Sequence, residues 1–598
     1  MDSRSLPVAA TAALIFFSVI ALSAGTAIVE HTFVVTQVTM THLCKDTLVT
    51  VVNGQLPGPA IEVTEGDSIA VHVVNKSPFN LTIHWHGVRQ LLNCWADGVP
   101  MITQRPILPD HNFTYRFDAS GQEGTLWWHA HVPCLRATIH GILIIRPRHG
   151  AISYPFPKPH KEIPIIIGEW WDLEDLGQVD RHLRHYVADD YFKASTINAK
   201  LGDLYNCSGV VEEAYKLDLE PGKTYLLRVL NAALFSEYYL KIAGHKFIVV
   251  AGDANYVSPY TTDTIAIAPG QTFDALVVAD ASPGRYYMVA MPNQPPKPDY
   301  QSPVLPTRGV LQYSNGAGGN QPGDVPMSPE MPDNHNHMLS FYFHGNLTSL
   351  HHPRHLPVPK RIDERLFITL GLGSVCRQGQ SCERGAESDE VIVVATMNNI
   401  SYELPTVSRP LLEAHYQNPS NIDWLQELPD VPPRVFNFTD NSLIPTGPKE
   451  EQLEPTSKAA LARRFRYGAV VDVVFQSTSM LQSESNPMHL HGHDMFVLAQ
   501  GSGNYDMERD VAKYNLVNPP LVNTVLVPRL GWVAVRFIAD NPGVWYMHCH
   551  FEFHQSMGMI ALFIVEDGPT ANTSLPSPPV DFLTYGDDNN LMPDEYYL

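Results

Sequence analysis

The chain consists largely of short runs in which apolar and polar residues alternate. The run at residues 68–74 is typical, and segments rich in Gly, Pro, Asn and Asp separate such runs from one another. Alternation with a period of two places the apolar side chains on one face of an extended strand, and the intervening residue types are those of turns. Long stretches with helical periodicity are absent. The pattern therefore predicts an all-β protein.

One unit occurs three times along the chain. Residues 66–75 match residues 222–231, and residues 468–476 form a weaker third copy. Each copy is followed by a segment that begins with Gly and continues with aromatic residues, at 124–131, 284–291 and 543–550. Internal repeats indicate consecutive copies of one architectural unit. We therefore predict three β-sandwich domains at residues 28–148, 160–318 and 340–567, followed by a C-terminal tail at 568–598.

The composition restricts the class of partner. The 598 residues include 40 Lys plus Arg and 62 Asp plus Glu, for a formal net charge of −22, and 44% of the residues are hydrophobic. The hydrophobic fraction suffices for large cores. The acidic balance argues against nucleic-acid binding and against docking on an anionic membrane.

The N-terminal residues 1–27 resemble a secretory signal peptide. Arg4 precedes an apolar segment at residues 8–22, and small residues around Gly25 and Ala27 suit a cleavage site. The alternative, an uncleaved membrane anchor, requires a longer apolar stretch. We expect a secreted, extracellular glycoprotein, because eight Asn-x-Ser/Thr sequons follow. They are at Asn75, Asn80, Asn112, Asn206, Asn346, Asn399, Asn437 and Asn572.

Four His-x-His motifs carry the candidate chemistry. Both histidines of such a motif point to the same face of a strand, roughly 6.5–7 Å apart, and can serve one metal ion or two adjacent ions. Imidazole suits Cu, Zn, Fe and Ni, so histidine alone does not identify the metal. Two motifs lie in the first repeat and two in the third, whereas the middle repeat has Val289 and Met291 instead. The motifs are His84/His86, His129/His131, His489/His491 and His548/His550.

Cys549 narrows the choice of metal. It lies between His548 and His550, so its side chain points to the opposite face of the strand and can bind a different ion. His554 and Met559 follow nearby. A thiolate, an imidazole and a distant thioether form the ligand set of a blue copper centre. Because seven cysteines leave at least one outside disulfides, Cys549 is the natural unpaired one.

These motifs resemble those of the multicopper oxidases, and in particular plant-type laccases, with ascorbate oxidase as a close relative. The resemblance also includes residues 84–90, 95–98, 127–131 and 540–545. It implies three cupredoxin domains and four copper ions, and an apoplastic laccase that oxidises phenolic substrates, including lignin-type phenols, while reducing O2 to water. By position, His84 and His489 resemble type 2 ligands. Those resembling type 3 ligands are His86, His129, His131, His491, His548 and His550.

The same resemblance assigns Cys549 and His554 to a type 1 site, with Met559 at the axial position, where laccases of this kind more often have Leu. Asp97 and Glu552 match acidic residues that relatives use to deliver protons; the alternatives are a turn-capping Asp and a solvated strand Glu. The chain departs from the family at Asn486, where a type 1 histidine is expected. An amide oxygen is a harder copper donor, so we expect a weakened, altered or empty type 1 site.

The cysteines carry further expectations, of which the first comes from the resemblance and the others from the positions of the remaining cysteines. A bridge between Cys44 and Cys207 resembles a known link between the first and second domains. Cys376 with Cys382 could close a local loop, and Cys94 is expected to pair with Cys134.

His493 is placed on the same face as His491 and is not expected to replace the missing type 1 histidine.

Three functions remain open on the sequence alone. Phenol oxidation by a laccase is the leading one. Ascorbate oxidation is favoured only by Met559 and its neighbours. A copper-binding extracellular protein with weak turnover is favoured by Asn486. The physiological substrate and the oligomeric state are not encoded in any recognisable motif.

Overall fold

A computed structural model of the chain describes residues 27–184, 191–293, 305–313, 325–352, 356–376, 391–444, 453–479 and 485–584. Of the predicted signal peptide, residues 1–26 lie outside this set. The described residues form mainly β-strands, which confirms the all-β prediction. The strands form three β-sandwich units, called domains 1, 2 and 3 below.

Domain 1 consists of two four-stranded sheets with the strand orders β2-β1-β4-β6 and β3-β8-β7-β5. Its strands are β1 (Ile28–His42), β2 (Lys45–Val52), β3 (Ile61–Thr64), β4 (Ser68–Asn75), β5 (Ile83–His86), β6 (Asn112–Asp118), β7 (Gly124–Ala130) and β8 (His140–Arg146).

Domain 2 consists of a six-stranded sheet, β10-β9-β14-β19-β16-β17, and a five-stranded sheet, β13-β21-β20-β15-β18, with a small ribbon of β11 and β12. Its strands are β9 (Lys161–Trp170), β10 (Ala194–Ile197), β11 (Asn206–Cys207), β12 (Val210–Val211), β13 (Lys216–Leu219), β14 (Thr224–Asn231), β15 (Tyr238–Ile242), β16 (Phe247–Gly252), β17 (Asn255–Thr262), β18 (Thr264–Ile267), β19 (Thr272–Val278), β20 (Arg285–Pro292) and β21 (Thr307–Tyr313).

Domain 3 consists of an eight-stranded sheet, β26-β24-β23-β22-β28-β33-β30-β31, and a six-stranded sheet, β25-β27-β35-β34-β29-β32. Its strands are β22 (Glu364–Cys376), β23 (Val391–Met397), β24 (Ile400–Tyr402), β25 (Gln426–Glu427), β26 (Ser457–Ala459), β27 (Leu461–Phe465), β28 (Ala469–Ser477), β29 (Asn486–Leu490), β30 (Met495–Ser502), β31 (Leu521–Val522), β32 (Thr524–Val527), β33 (Gly531–Ala539), β34 (Gly543–Cys549) and β35 (Ile560–Val565).

The α-helices of the described residues are short connecting elements. They are α1 (Gly177–Arg184), α2 (His337–Gly345), α3 (Leu411–Gln417), α4 (Met507–Asp510), α5 (Glu552–Ser556) and α6 (Val580–Thr584). In this part of the chain, none of them has the length and apolarity needed to cross a membrane.

The sequence repeat corresponds to a repeated topology. The first segment of each copy forms β4, β14 or β28, and each of these strands has one parallel and one antiparallel neighbour. The Gly-aromatic segment forms β7, β20 or β34, and each of these lies between two antiparallel strands. The three domains therefore share one strand plan.

Domains 1 and 3 pack directly against each other. Their buried apolar residues form one continuous cluster that extends from Phe33 to Phe582, whereas the core of domain 2 is a separate cluster. Strand β4 alternates between buried and half-buried residues, but every residue of β5, β7, β29 and β34 is buried. Burial on both faces is consistent with the position of these four strands at the seam between the two domains.

The cysteine predictions have mixed outcomes. Cys44 and Cys207 form the predicted disulfide between domains 1 and 2. Cys376 is disulfide-bonded, and its predicted partner, Cys382, lies outside the described residues. The predicted pairing of Cys94 with Cys134 is wrong, because both are free and buried. The Cys94 thiol donates to the Val544 carbonyl at 3.3 Å.

The sequons differ in accessibility. Asn75 is fully buried, and its amide donates to the carbonyls of Phe79 at 2.7 Å and Ile107 at 2.9 Å. A glycan on Asn75 is therefore incompatible with the folded chain, which corrects that expectation, and Asn80 is buried as well. Asn399 is half-buried. The exposed sequon asparagines are Asn112, Asn206, Asn346, Asn437 and Asn572.

Candidate metal centre

The register of the seam strands brings the His-x-His motifs side by side. In domain 1, β5 pairs with β7 so that His84 lies opposite His129. In domain 3, β29 pairs with β34 so that His489 lies opposite His548. Because side chains alternate along each strand, all histidines of one pair of motifs project from the same face.

The two faces meet across the seam. The imidazole of His84 stacks on that of His491 with 3.8 Å between ring centroids, and His86 stacks on His489 at 3.7 Å. Each contact joins residues about four hundred positions apart. The structure thus brings all eight predicted histidines into one cluster, and each is at most 6% exposed.

The cluster contains groups of nitrogens close enough to hold metal ions. Within the described residues, three triplets have their ligand atoms within 4.8 Å of one another. They are His84/His489/His491, His84/His86/His129 and His131/His491/His548. The triplets share members, as expected for neighbouring ions that lie between the same strands.

Hydrogen bonds to main-chain carbonyls orient several of these rings. A carbonyl only accepts, so the bonded nitrogen carries the proton and the other nitrogen keeps its lone pair. Nδ1 of His84 donates to the Asp97 carbonyl at 2.7 Å. Nδ1 of His489, His129 and His548 donates at 2.9 Å to the carbonyls of Asn523, Ala130 and Cys549, respectively.

The remaining nitrogens fit a metal. A buried polar atom without a partner is costly, and in the described part of the chain six such nitrogens lie in this cluster. They are Nε2 of His84, His129, His131, His489 and His550, and Nδ1 of His86. Nε2 of His491 lies 3.3 Å from Nε2 of His548. Several lone pairs converging in a buried site match the requirement of a bound transition-metal ion, and copper is among the metals that imidazole suits.

Burial also sets the charge of the cluster. Desolvation, and secondarily the neighbouring imidazoles, lower the pKa of His131 and His489 to about 3. The same causes hold the pKa of the other shifted members well below the usual value. These are His86, His129, His491, His548 and His550. These seven rings are thus neutral at physiological pH, which is the form that binds metal.

Asp97 is a buried carboxylate beside this cluster. It is 0% exposed, and its carboxylate oxygens lie 3.0 and 3.2 Å from Nδ1 of His491. Its main-chain carbonyl accepts from His84. Asp97 therefore contacts imidazoles of both domains, rather than capping an exposed turn.

Glu552 is the second predicted carboxylate. It begins helix α5 and is 2% exposed, so the alternative of a solvated strand residue is wrong. Its carboxylate forms an ion pair with Arg136 at 3.0 Å. Arg136, which sequence reasoning missed, also donates to the carbonyl of His550 at 2.9 Å. Because Arg136 and Glu552 are 416 positions apart, no local motif could have indicated this contact.

The thiol site lies on the other face of β34. Cys549 is fully buried, with its Sγ 3.5 Å from Nδ1 of His554. The Asn486 side chain occupies the position expected for a second imidazole, with Oδ1 3.9 Å from Sγ. Burial lowers the pKa of His554 to about 3. Met559 is fully buried, and its carbonyl accepts from the Cys549 amide at 3.1 Å.

His493 does not face the imidazole cluster, which corrects the sequence expectation. Strand β29 ends at Leu490, and Gly492 adopts a left-handed conformation with φ of +69°. The turn redirects His493, whose ring packs against Phe537 and Trp545, each at 5.7 Å. The alternation rule fails here because the strand has already ended.

A cavity of about 1210 Å³ lies beside both sites. His131 and Tyr546 line it on the side of the imidazole cluster, and Gln555 and Met557 line it on the side of helix α5. Trp424, which is 53% exposed, also lines it. A small organic molecule in this cavity would lie near the helix that carries His554.

The chain is similar to known proteins both in sequence and in fold. Residues 34–150, 161–316 and 427–569 match family models described as multicopper oxidase. "Laccase-15" of Oryza sativa subsp. japonica is 64% identical over 597 residues, covering 97% of this chain and 99% of the relative. "Laccase-7" of Arabidopsis thaliana is 44% identical over 584 residues, covering 97% and 99%. The solved laccase from Botrytis aclada shares the fold, with a TM-score of 0.69 and 24% sequence identity. The match covers 94% of this chain and 91% of that chain.

Proposed function

The chain belongs to the multicopper oxidase family and is a laccase-type oxidoreductase with copper as its cofactor, and from this premise we propose that it oxidises phenols outside the cell. Each phenol loses one electron and one proton, and four such oxidations reduce one O2 to two waters. The observation that carries this proposal is the buried cluster of eight imidazoles, six of which have a nitrogen without a hydrogen-bond partner in the described part of the chain.

The proposed copper-binding residues follow the sequence assignment. His84 and His489 would hold a type 2 ion, and the other six histidines of the cluster would hold a type 3 pair. Cys549, His554 and Met559 would hold the type 1 ion. Bound copper supplies one-electron steps at the thiol site and a multi-electron reduction of O2 at the imidazole cluster.

The chain itself supplies the connection between the two sites. Cys549 is covalently linked through the main chain to His548 and His550, which belong to the imidazole cluster. Proposed ligands of the thiol site and of the cluster are therefore consecutive residues at the end of β34, with side chains on opposite faces. This arrangement suits the transfer of single electrons between them.

Two carboxylates are proposed to handle protons. Asp97 lies within 3.2 Å of Nδ1 of His491 in a site closed to bulk water, so its oxygens can hold a proton next to the cluster. Glu552 pairs with Arg136, which also contacts the carbonyl of His550 and positions the Glu552 carboxylate. Reduction of O2 to water consumes four protons, and general acid–base groups must deliver them.

The cavity beside helix α5 is the proposed phenol site. Tyr546, Trp424 and Leu404 line part of it with the aromatic and apolar surface that phenol rings favour. Secretion is supported by the N-terminal sequence of residues 1–27 and by the exposed sequons. We therefore place the enzyme in the extracellular space.

Two alternatives rest on particular residues. Ascorbate oxidation is favoured by Met559 at the axial position. A copper-binding protein with weak turnover is favoured by Asn486, because a type 1 site with one imidazole binds copper(II) less well.

Oxygen uptake by copper-loaded protein separates these functions. A para-diphenol and ascorbate are supplied in parallel, with Cys549→Ser as the matched control that loses the thiolate. Uptake with the diphenol that the control abolishes supports the proposal. Uptake with ascorbate alone supports the second function, and full copper binding without uptake supports the third.

A further inference from the structure

Thr524 contacts imidazoles of both domains at once. It begins β32, and its pairing with β29 places it opposite His489. Its hydroxyl oxygen lies 3.0 Å from Nε2 of His86 and 3.1 Å from Nδ1 of His489. The side chain is 0% exposed, so water does not compete for these contacts.

The hydrogen-bond partners of the hydroxyl determine which nitrogens carry protons. The hydroxyl has one proton, and it donates this proton to the side-chain oxygen of Asn523 at 3.0 Å. The two imidazole nitrogens that face the hydroxyl must then be donors. For His489 this agrees with its bond to the Asn523 carbonyl.

The consequence differs between the two rings. A proton on Nε2 of His86 leaves the lone pair on Nδ1, and that atom is buried without a partner in the described part of the chain. A proton on Nδ1 of His489 leaves the lone pair on Nε2, which is equally unpartnered. The Thr524 hydroxyl, together with the Asn523 carbonyl at His489, therefore leaves opposite nitrogens of two stacked rings free to bind a metal ion.

Domain 2 holds Thr524 in place. The Asp253 carboxylate accepts from the Thr524 amide at 3.0 Å, and the Gln271 side chain donates to the Thr524 carbonyl at 3.2 Å. The turn that precedes Gln271 also touches the cluster. A Cβ atom at Gly270 would lie 3.0 Å from the His550 ring and 3.1 Å from the His86 ring. Domain 2 contributes no histidine to the cluster, yet its residues support the cluster directly.

We propose that the Thr524 hydroxyl, held by Asp253 and Gln271 of domain 2, positions His86 to bind copper through Nδ1 and His489 to bind through Nε2. This inference rests on the proposed copper-binding role of the two histidines. Thr524 acts through them and is a positioning residue.

The test compares Thr524→Val, which keeps the shape and removes the hydroxyl, with Thr524→Ser, which keeps the hydroxyl. Copper affinity is measured by competition with a chelator, and the type 2 site is followed by electron paramagnetic resonance. Loss of a ligand-orienting contact weakens metal binding by about 10–100-fold. We expect that loss and an altered type 2 spectrum in Thr524→Val, with near wild-type values in Thr524→Ser.

Two results would overturn the inference: wild-type affinity and spectrum in Thr524→Val, or equal losses in both variants. A wild-type chain that binds no copper at the cluster would instead refute the proposed function. Asp253→Asn, which places an amide opposite the Thr524 N–H, tests the support from domain 2 and replaces Thr524→Val if that variant does not fold. We expect Asp253→Asn to lose less copper affinity than Thr524→Val, and an unchanged copper affinity in Asp253→Asn would contradict the role of domain 2.

Discussion

Replacing Arg136 with Met should destabilise the fold by several kcal/mol. Arg136 is 2% exposed, and its guanidinium bridges the Glu552 carboxylate at 3.0 Å and the His550 carbonyl at 2.9 Å. A second main-chain acceptor, the carbonyl of Leu234, lies 3.2 Å away. Removing one partner of a buried ion pair leaves a charge without compensation, which costs about 3–5 kcal/mol.

A double-mutant cycle isolates the ion pair from the packing of the two side chains. Glu552→Gln alone removes the carboxylate charge and leaves Arg136 unpaired. In the double variant, Arg136→Met with Glu552→Gln, neither buried charge remains. We therefore expect the double variant to lose less stability than the sum of the two single losses, by about 3 kcal/mol, the upper range for residues in contact.

The free energy of unfolding is measured on the metal-free protein with urea and tryptophan fluorescence, so that copper release does not contribute. Arg136→Lys is the matched control, because lysine keeps the charge but lacks the planar fork that reaches several acceptors. It should recover part of the stability. Additive losses in the cycle would refute the reasoning, since they would mean that the charges of Arg136 and Glu552 do not interact.

Three further predictions concern the two metal sites. Asn486→His should tighten copper binding at the type 1 site and strengthen its thiolate-to-copper absorbance, because it supplies a second imidazole, with Asn486→Gln as the control; equal affinity and absorbance in Asn486→His and the wild type would contradict it. Asp97→Asn keeps an acceptor for His491 but cannot carry the proton, so kcat should fall by about 100-fold at unchanged copper content, and an equal kcat would rule out this role. Met559→Leu, measured in the Asn486→His background, should raise the type 1 reduction potential, because a thioether near Cys549 lowers it; spectroelectrochemistry showing no rise would refute this.

The fold could be predicted because the signals are local and repeated. Alternation over single strands and three copies of one segment predict β-sandwiches, and this prediction does not depend on the conformation of the loops. The imidazole cluster could be predicted from the sequence for the same reason, since the strand period fixes the face on which His84 and His86 lie. The alternation rule failed at His493 because the turn at Gly492 ends the strand.

Residues that act across the seam could not be predicted. Thr524 is an ordinary strand residue in the sequence, and its importance arises only when domain 1 brings His86 within 3.0 Å of its hydroxyl. Arg136 depends in the same way on a carboxylate from the far end of the chain. Asn75 lies in a sequence that permits glycosylation, yet tertiary packing buries its amide.

The division of the cluster between the two ends of the chain constrains how the protein matures. Four of its histidines are translated early and four late. A nascent chain that lacks domain 3 therefore contains only half of the proposed copper ligands of the cluster. Copper uptake at this proposed site would therefore follow completion of the polypeptide and docking of domain 1 on domain 3. Once bound, the ions would fasten the first domain to the last, and a single cut in a surface loop would leave the pieces joined through the metal.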